Sequence, residues 1–501
     1  MKYFLGVDNG GTMAKAALYD EKGREIAVAS RASGLLTPAQ GFTERDMDAM
    51  WADTATCIRE AVEASGISPK QIAAVACTGH GKGLYLWGQN GAPVRNGIIS
   101  TDTRAGALVA QWYADGTAER VYPKTMQQIL VCQPCALLRW LKEHEPENYG
   151  QIRWVFEAKD YIRFRLTGQA HGELTDYSGT SLVNLHTRAY DPDLLEAFGI
   201  PEIGDALPPL VKSSDLCGAV TAEAAALTGL RAGTPVAGGM FDIDACAIAT
   251  GLVDETDLCV IAGTWSINEY IARKPVTGGN IAMNSLFCMP EYYLIEESSP
   301  TSAGNLEWYV KNVLDCDRAA AKSAGLNFYA LLDNGVEAIG PEEDVPVFLP
   351  FLYGSPDNPD ATASFTGISA RHTKAHLARA IFEGVVFRHH DHIAKLLANR
   401  EQPGCLRLSG GAAGSRVWAQ MFADVMQIPV ETAPVKEPGT LGCAIAGAVA
   451  AGVYESYADA ARNMAPAGLR ITPDPAKAEV YQRKLARYHR VERALSETWG
   501  K

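Results

Sequence analysis

The feature that most constrains this chain is a short pattern that occurs twice, roughly half a chain apart. The first copy is Leu5-Gly6-Val7-Asp8-Asn9-Gly10-Gly11-Thr12, followed by the alternating run Met13 to Asp20. It reads as a strand ending in a carboxylate, a Gly-Gly turn with a hydroxyl, and a returning strand. The second copy, Leu258 to Ala262, then Gly263-Thr264, then Trp265 to Ile271, is again strand, glycine–hydroxyl turn, strand. Glycine lets the backbone come close to a ligand because no Cβ stands in the way. Successive backbone N–H groups in such a turn can hold phosphate oxygens. Asp8 cannot hold phosphate itself, but it can hold a hydrated Mg²⁺ that rides on phosphates. Alone, a Gly-Gly hairpin is usually just a tight turn. One in each half suits a duplicated α/β chain whose cleft grips a nucleotide's phosphates from both sides.

Two further patterns are absent. There is no G-x-x-x-x-G-K-[ST] loop, which argues against a P-loop kinase, and no G-x-G-x-x-G, which argues against a nicotinamide or flavin enzyme. With 501 residues the chain is too long for one core, and two or three domains are expected. Lys plus Arg is 45 and Asp plus Glu is 58, a formal net charge of −13. That balance disfavours nucleic acid or an anionic membrane as partner. It leaves a nucleotide open, because Mg²⁺, lysine and backbone amides handle its charge locally. The longest mostly apolar run, Ala444 to Tyr454, is too short to span a bilayer, and its Gly and Ala content suits a closely packed helix. Met1 to Phe4 runs straight into the first strand, so no signal peptide is expected and the compartment reads as cytoplasmic. The 11 cysteines then read as buried thiols. The pair Cys132 and Cys135 lacks the second pair or nearby histidine of a zinc site.

Along the chain, Thr43 or Asp46 is placed to cap a helix running to Gly66. Ile72 to Cys77 is a buried strand that ends in Thr78-Gly79-His80-Gly81-Lys82-Gly83. Ile98 to Arg104 is a second strand ending in polar groups. Ligands of open α/β sheets sit at the carboxyl ends of strands, which makes His80, Lys82, Asp102 and Arg104 candidates for a polar pocket. For Asp102 and Arg104 the competing reading is that they bond only their own turn. Thr234 to Asp242 is a strand ending in Gly238-Gly239 before a small-residue helix. Asp242 falls at the helix start, where it can cap the helix and where the helix dipole favours its ionised form. An ionised Asp there is where a general base for a substrate hydroxyl would stand. Asp244, two residues on, should point elsewhere. The cluster His389, His390, Asp391 and His392 lies on a long helix and reads as a polar face, not a metal site. Leu406 to Ser415 is a strand into a glycine loop, where Gly410 and Gly411 could lie flat against an adenine ring, with Ser415 as N-cap of the next helix.

These residues together resemble the FGGY carbohydrate kinases, nearly end to end. Ala363-Ser364-Phe365-Thr366-Gly367-Ile368, followed by His376 to Glu383, fits the family's second signature. Pro134 to Lys142 fits the first, except that Leu137 stands where a lysine is usual. The resemblance implies duplicated actin-like (ribonuclease H-like) ATPase domains with a nucleotide cleft between them. Residues 1–248 would form the N-terminal lobe and residues 249–501 the C-terminal, ATP-binding lobe. It implies ATP and Mg²⁺ as cofactors, Asp242 as catalytic base, and Asp8 and Asp242 as the carboxylates at the metal. Gly10, Gly11, Thr12 and Lys15 would grip phosphate from one lobe, and Gly263 and Thr264 from the other. Gly304, Gly410, Gly411 and Ser415 would bound the adenosine, and His80, Lys82, Asp102, Arg104 and Asp242 would meet the sugar. The implied acceptor is a keto-pentose, L-xylulose first, with D-xylulose, ribulose, glycerol or gluconate as alternatives. The more distant alternative is an actin-like ATPase with a protein partner. Many family members acting on D-xylulose carry Gln-Met-His-Gly where this chain has Gly79 to Gly83. Lys82 then takes the histidine's place, which argues for a different sugar or an acidic one. A homodimer is the oligomeric state the resemblance implies.

Overall fold

Strand pairing repeats the plan that the sequence shows twice. The computed structural model describes residues 1–278, 281–355, 358 and 360–500. In the first half, Tyr3–Asn9 pairs antiparallel with Met13–Asp20 and parallel with Ile72–Gly79. In the second, Leu258–Ala262 pairs antiparallel with Ser266–Ala272 and parallel with Leu406–Gly410. Each glycine turn thus joins a hairpin whose first strand is also flanked by a parallel neighbour, which needs a long crossover connection.

The chain divides into two compact units. The first is Met1–Val253 with Ile271–Ile295 and Glu437–Pro466; the second is Asp254–Tyr270, Glu296–Lys436 and Ala467–Lys501. The sequence reading cuts the chain once, after residue 248. By contacts, the helix Pro438–Ala450 belongs with the first unit, and its small residues are the reason. A Cβ on Gly6 would lie 1.9 Å from the Thr440 carbonyl oxygen, and one on Gly442 would lie 2.2 Å from the Ala245 oxygen. The helix lies against the strands Tyr3–Asn9 and Ile72–Gly79 and against the helix Asp242–Ala249.

The first unit holds a six-stranded sheet in the order Leu216–Ala219, Pro235–Ala237, Ile72–Gly79, Tyr3–Asn9, Met13–Asp20, Glu25–Ala32. One core forms between this sheet and the helices Met47–Ser65 and Ala158–Thr167, around Leu5, Val7, Trp51, Ile58, Val75 and Tyr161. The first of these helices starts as its caps predict. Asp46 accepts from the Ala49 N–H at 2.8 Å, and Gly66 ends it with φ 64°. A second core gathers Leu84, Val109, Leu137, Leu141, Phe198 and Ile203.

In the second unit, Leu406–Gly410 also pairs parallel with Val430–Thr432, which pairs antiparallel with Arg470–Ile471. The long helix Lys374–Leu397 crosses close under Val347–Leu349, where a Cβ on Gly384 would lie 2.3 Å from the Phe348 oxygen. Phe382 stacks on Trp418 of the helix Arg416–Met426 at 4.1 Å. Nine of the 11 cysteines are buried and all are free thiols, Cys132 and Cys135 included. Among the described residues no helix is long and apolar enough to cross a membrane.

Candidate active site

Three parallel strands of the first unit end side by side, and their carboxyl ends carry the candidate chemistry. Asp8 stands opposite Thr78 in the register, and Val236 stands opposite Val75. Asp8 is half-buried beside Gly439, where a Cβ would come within 2.7 Å of its Oδ2. Burial pushes the Asp8 carboxyl up to about 6, against the pull of Lys15. A carboxylate held at such a cost, at a glycine-opened strand end, fits a hydrated divalent cation.

The Gly10-Gly11 turn is held from behind by Arg45, a buried side chain that donates to the carbonyls of Gly10 at 3.1 Å and Gly11 at 2.5 Å. With its carbonyls engaged there, the turn keeps its amides for a ligand. Arg45 has no sequence signal of its own, because it sits in a charged run that reads as a helix start. Thr12 is exposed on the same turn, and Lys15 pairs with Glu437 at 2.5 Å. Asn9 accepts from the Thr54 hydroxyl at 2.9 Å, which ties the turn to the helix behind it.

Asp242 is the first residue of the helix Asp242–Ala249, and Phe241 occupies the N-cap position. The side-chain capping role read from the sequence for Asp242 is therefore not filled, since Phe241 makes no side-chain cap bond. Asp242 is half-buried in the first turn, where the helix dipole favours its negative charge. Asp244 does point elsewhere: it is buried, and its Oδ1 accepts from the Cys288 N–H at 2.9 Å. The segment leading to Asp242 is tied at each step. Gly238 N–H donates to Asp215 O at 2.9 Å, and Gly239 N–H to Ser213 O at 3.1 Å. Thr78 donates to the Met240 carbonyl at 2.8 Å, and Thr175 accepts from the Phe241 N–H at 2.9 Å. Gly239 has φ +77°, and a Cβ there would lie 1.9 Å from the Cys77 oxygen. Only glycine permits that approach.

The loop after Ile72–Gly79 packs down on Phe241: a Cβ on Gly81 would lie 2.1 Å from its ring. His80 is buried, with Nε2 at 2.7 Å from the Tyr85 hydroxyl. Burial, with help from Arg45, pushes its pKa down to about 3, so the imidazole is neutral. Lys82 is half-buried at φ +63°, with its ammonium 5.6 Å from the centre of the Phe241 ring. Asp102 and Arg104 are paired with each other: Nε reaches Oδ1 and Nη2 reaches Oδ2, both at 2.9 Å. Asp102 also accepts from the Thr43 N–H at 2.7 Å, and Arg104 bonds Glu44 at 2.7 Å while stacking on Phe42. The two residues therefore bond beyond their own turn, to Thr43 and Glu44, which lie 59 and 60 residues earlier in the chain.

Sequence reasoning missed a buried charge cluster behind this surface. Lys159 lies within 3.0 Å of Asp160, 3.3 Å of Asp176 and 3.4 Å of Glu173, all fully buried. Arg163 joins Asp160 at 2.7 Å. Glu157, one residue before the helix Ala158–Thr167, is also buried. The available signal was charge among apolar helix neighbours: Lys159, Asp160 and Arg163 alternate with Tyr161, Ile162 and Leu166.

In the second unit the structure brings together Gly263, Thr264, Gly304, Gly410 and Gly411. Gly410 has φ +82°, and its Cβ would lie 2.6 Å from the Ala262 carbonyl and 2.9 Å from the Gly263 nitrogen. A Cβ on Gly304 would meet Thr264 at 3.3 Å, and one on Gly411 would meet Ala303 at 3.6 Å. Ser415 caps the helix Arg416–Met426 by accepting from the Trp418 N–H at 3.2 Å, and it donates to Asp333 at 2.8 Å. His389 and His392 do not lie on an exposed polar face; both are fully buried, while His390 and Asp391 are half-buried. The correction has a clear cause. His389 Nδ1 lies 2.7 Å from Asn268 Oδ1 and Nε2 lies 3.0 Å from the Ser302 hydroxyl, so the ring is satisfied without water. Asp391, His489 and Glu492 lie close enough to share an ion, but Arg388 stands 3.7 and 3.8 Å from the two carboxylates and serves as their counter-charge.

A glycine-turn hairpin in each unit, and an Asp at a helix start beside a polar loop, fit a sugar-phosphorylating enzyme of the actin-like fold. The chain belongs to the FGGY family of carbohydrate kinases: the family's N-terminal domain matches residues 3–249 and its C-terminal domain residues 258–451. It is an ATP-dependent sugar kinase. It is 40% identical over 495 residues to the L-xylulose/3-keto-L-gulonate kinase of Escherichia coli K12, covering 99% of this chain and 97% of that one. It is 39% identical to the probable L-xylulose kinase of Pasteurella multocida, over 99% of both chains. Among solved structures, the xylulose kinase of Rhodospirillum rubrum superposes with a TM-score of 0.87 at 29% identity, over the full length of both chains.

Proposed function

We propose that this kinase transfers the γ-phosphoryl group of ATP to a terminal hydroxyl of a keto-pentose, with L-xylulose as first candidate. The observation that carries the mechanism is the position of Asp242, half-buried at the start of a helix at the carboxyl end of the sheet that also presents Asp8. The full-length likeness to kinases named for L-xylulose supports the choice of sugar.

In this reading Asp242 accepts the proton of the sugar hydroxyl as its oxygen bonds the γ-phosphorus. The bond from that phosphorus to the β-phosphate bridging oxygen breaks, and ADP leaves. Such transfer rests on positioning and charge neutralisation more than on covalent chemistry. Asp8 and Asp242 are the residues that would hold a hydrated Mg²⁺, which would supply neutralisation of phosphate charge. Amides of the Gly10-Gly11 turn, Thr12 and Lys15 take phosphate oxygens, as do Gly263 and Thr264. Gly304, Gly410, Gly411 and Ser415 bound the adenosine. The neutral His80, whose ring nitrogens face the Tyr85 hydroxyl and the Gly81 carbonyl, shapes with Asp102 and Arg104 the loops that frame the sugar. Family membership sets aside the alternative of an ATPase with a protein partner. The family resemblance further supports a cytoplasmic homodimer, which light scattering on the purified chain checks.

The test is ADP release with L-xylulose, D-xylulose, ribulose, glycerol and gluconate, for the wild type and Asp242→Asn. The wild type should favour L-xylulose. The variant should fold and bind ATP, yet lose sugar phosphorylation by roughly three orders of magnitude or more. Near-normal turnover of Asp242→Asn removes Asp242 from the role of base.

A further inference from the structure

His389 and His392 stand three apart on the helix Lys374–Leu397 and so share one of its faces. That face meets the segments of the second unit that carry the glycines proposed to take ATP. Nδ1 of His389 lies 2.7 Å from Asn268 Oδ1 and 3.1 Å from the Ser266 hydroxyl. Ser266 opens the strand Ser266–Ala272, just past the Gly263-Thr264 turn. Nε2 lies 3.0 Å from the hydroxyl of Ser302, two residues before Gly304. The ring also makes a T-shaped contact with Phe422, at 5.1 Å, on the helix that follows Gly410-Gly411. One buried imidazole thus touches the flank of all three segments.

The contacts are directional. Asn268 Nδ2 donates to the Glu297 carbonyl at 3.3 Å, which turns Oδ1 toward the ring and assigns the imidazole proton to Nδ1. Burial, with His392 nearby, holds His389 well below the usual histidine range, so the ring is neutral. Nε2 is then an acceptor, and the Ser302 hydroxyl donates to it. The Ser302 carbonyl receives the Asn305 N–H at 3.0 Å and the Asn305 side-chain amide at 3.1 Å. These bonds start the helix Gly304–Asn312, and Gly304 packs on Thr264, where an added Cβ would meet Cγ2 at 3.3 Å. His392 supports the same loop: its Nε2 lies 2.7 Å from the Ser299 hydroxyl, which lies 2.6 Å from that of Thr301. An aliphatic residue at 389 would fill this core, but it would not fix where one segment stands relative to the next.

We propose that His389 is a positioning residue for ATP: through Ser266 and Ser302 it sets the gap between the Gly263-Thr264 turn, which grips phosphate, and the Gly304 loop, which bounds the adenosine. The inference rests on the proposed placement of ATP on these glycines and names the residue that holds them in register. A ligand that spans two segments binds more tightly when their separation is set before it arrives, because ordering them on binding costs affinity.

The experiment measures KM for ATP and KM for the preferred acceptor sugar, well below the melting temperature. The proteins are the wild type, Ser302→Ala, His389→Leu, His389→Gln and, as a reference, Gly411→Ala. Ser302→Ala and His389→Leu should each raise KM for ATP about tenfold, the worth of one well-made buried hydrogen bond. KM for the sugar should stay within about twofold of wild type. His389→Gln still presents an acceptor to Ser302, so its KM for ATP should stay within about threefold of wild type. Where His389→Leu fails to fold, Ser302→Ala carries the test. KM for ATP unmoved in Ser302→Ala but raised in Gly411→Ala overturns the inference and leaves ATP on these glycines. An equal rise for ATP and sugar also overturns it, because a general loss of structure does not distinguish the two. KM for ATP unmoved in both Ser302→Ala and Gly411→Ala overturns the placement of ATP, and the inference with it.

Discussion

Phe241 donates its backbone N–H to the Thr175 hydroxyl at 2.9 Å, and Thr175 donates in turn to Glu173 Oε2 at 2.7 Å. Glu173 is itself fixed by the Ser213 hydroxyl at 2.8 Å and by Lys159 at 3.4 Å. The residue before Asp242 is thus anchored to the buried charge cluster through one hydroxyl. That links a network with no contact to solvent to the placement of the base.

Replacing Thr175 by the isosteric valine keeps the volume and removes both bonds. A buried N–H left unpaired costs about 1–3 kcal/mol. The helix start can shift to recover it, and small displacements at a reacting group are expensive. We expect Thr175→Val to lower kcat roughly 10- to 100-fold with little change in KM for ATP, and Thr175→Ser to restore most of it. Steady-state kinetics well below the melting temperature check this. A kcat equal to wild type would show that Phe241 does not need the anchor.

Asp8 makes a prediction about pH. Its carboxyl is raised from 3.8 to about 6 in the folded chain. As pH climbs from 3.8 to 6, the unfolded chain releases this proton while the folded chain holds it. The folded state is therefore penalised progressively, and fully above pH 6. The full penalty is ~3 kcal/mol, less whatever solvent reaches this half-buried group. In the absence of metal and nucleotide, Asp8→Asn should melt several degrees higher than the wild type at pH 8. The gap should close as pH falls to 4. Mg²⁺ with ATP should raise the wild-type melting point more than the variant's. A variant less stable than wild type at pH 8 would contradict the cost assigned to Asp8.

Much of this arrangement was legible in the sequence because it is local. The Gly10-Gly11 and Gly263-Thr264 turns, the capped helix from Asp46 to Gly66 and the small-residue helix Pro438–Ala450 each carry their signal within a few residues. What escaped is non-local. Nothing near Asp242 signals that Thr175, 66 residues earlier, will occupy the Phe241 N–H. Arg45 looks like any charged residue at a helix start until the fold places it behind Gly10 and Gly11. His389 and His392 read as polar because their partners, Asn268, Ser302 and Ser299, come from distant segments. Burial of a polar residue is decided by partners that the linear sequence keeps apart.

The paired glycines at 410 and 411 separate a folding role from a binding role. Gly410 has positive φ, and its added Cβ would meet the backbone of Ala262 at 2.6 Å. Backbone cannot yield as a flexible side chain can, so Gly410→Ala should cost roughly 2–4 kcal/mol and lower the melting point markedly. Gly411 differs: its Cβ would meet Ala303 at an ordinary 3.6 Å. Gly411→Ala should therefore melt within a degree or two of the wild type. If an adenine ring lies flat on this glycine, the same methyl group intrudes on it and KM for ATP should rise about tenfold, with KM for sugar unmoved. Thermal melts and ATP titrations on the two variants read these roles independently. A Gly411→Ala enzyme with unaltered KM for ATP would remove the adenosine from this loop, whatever Gly410→Ala does to stability.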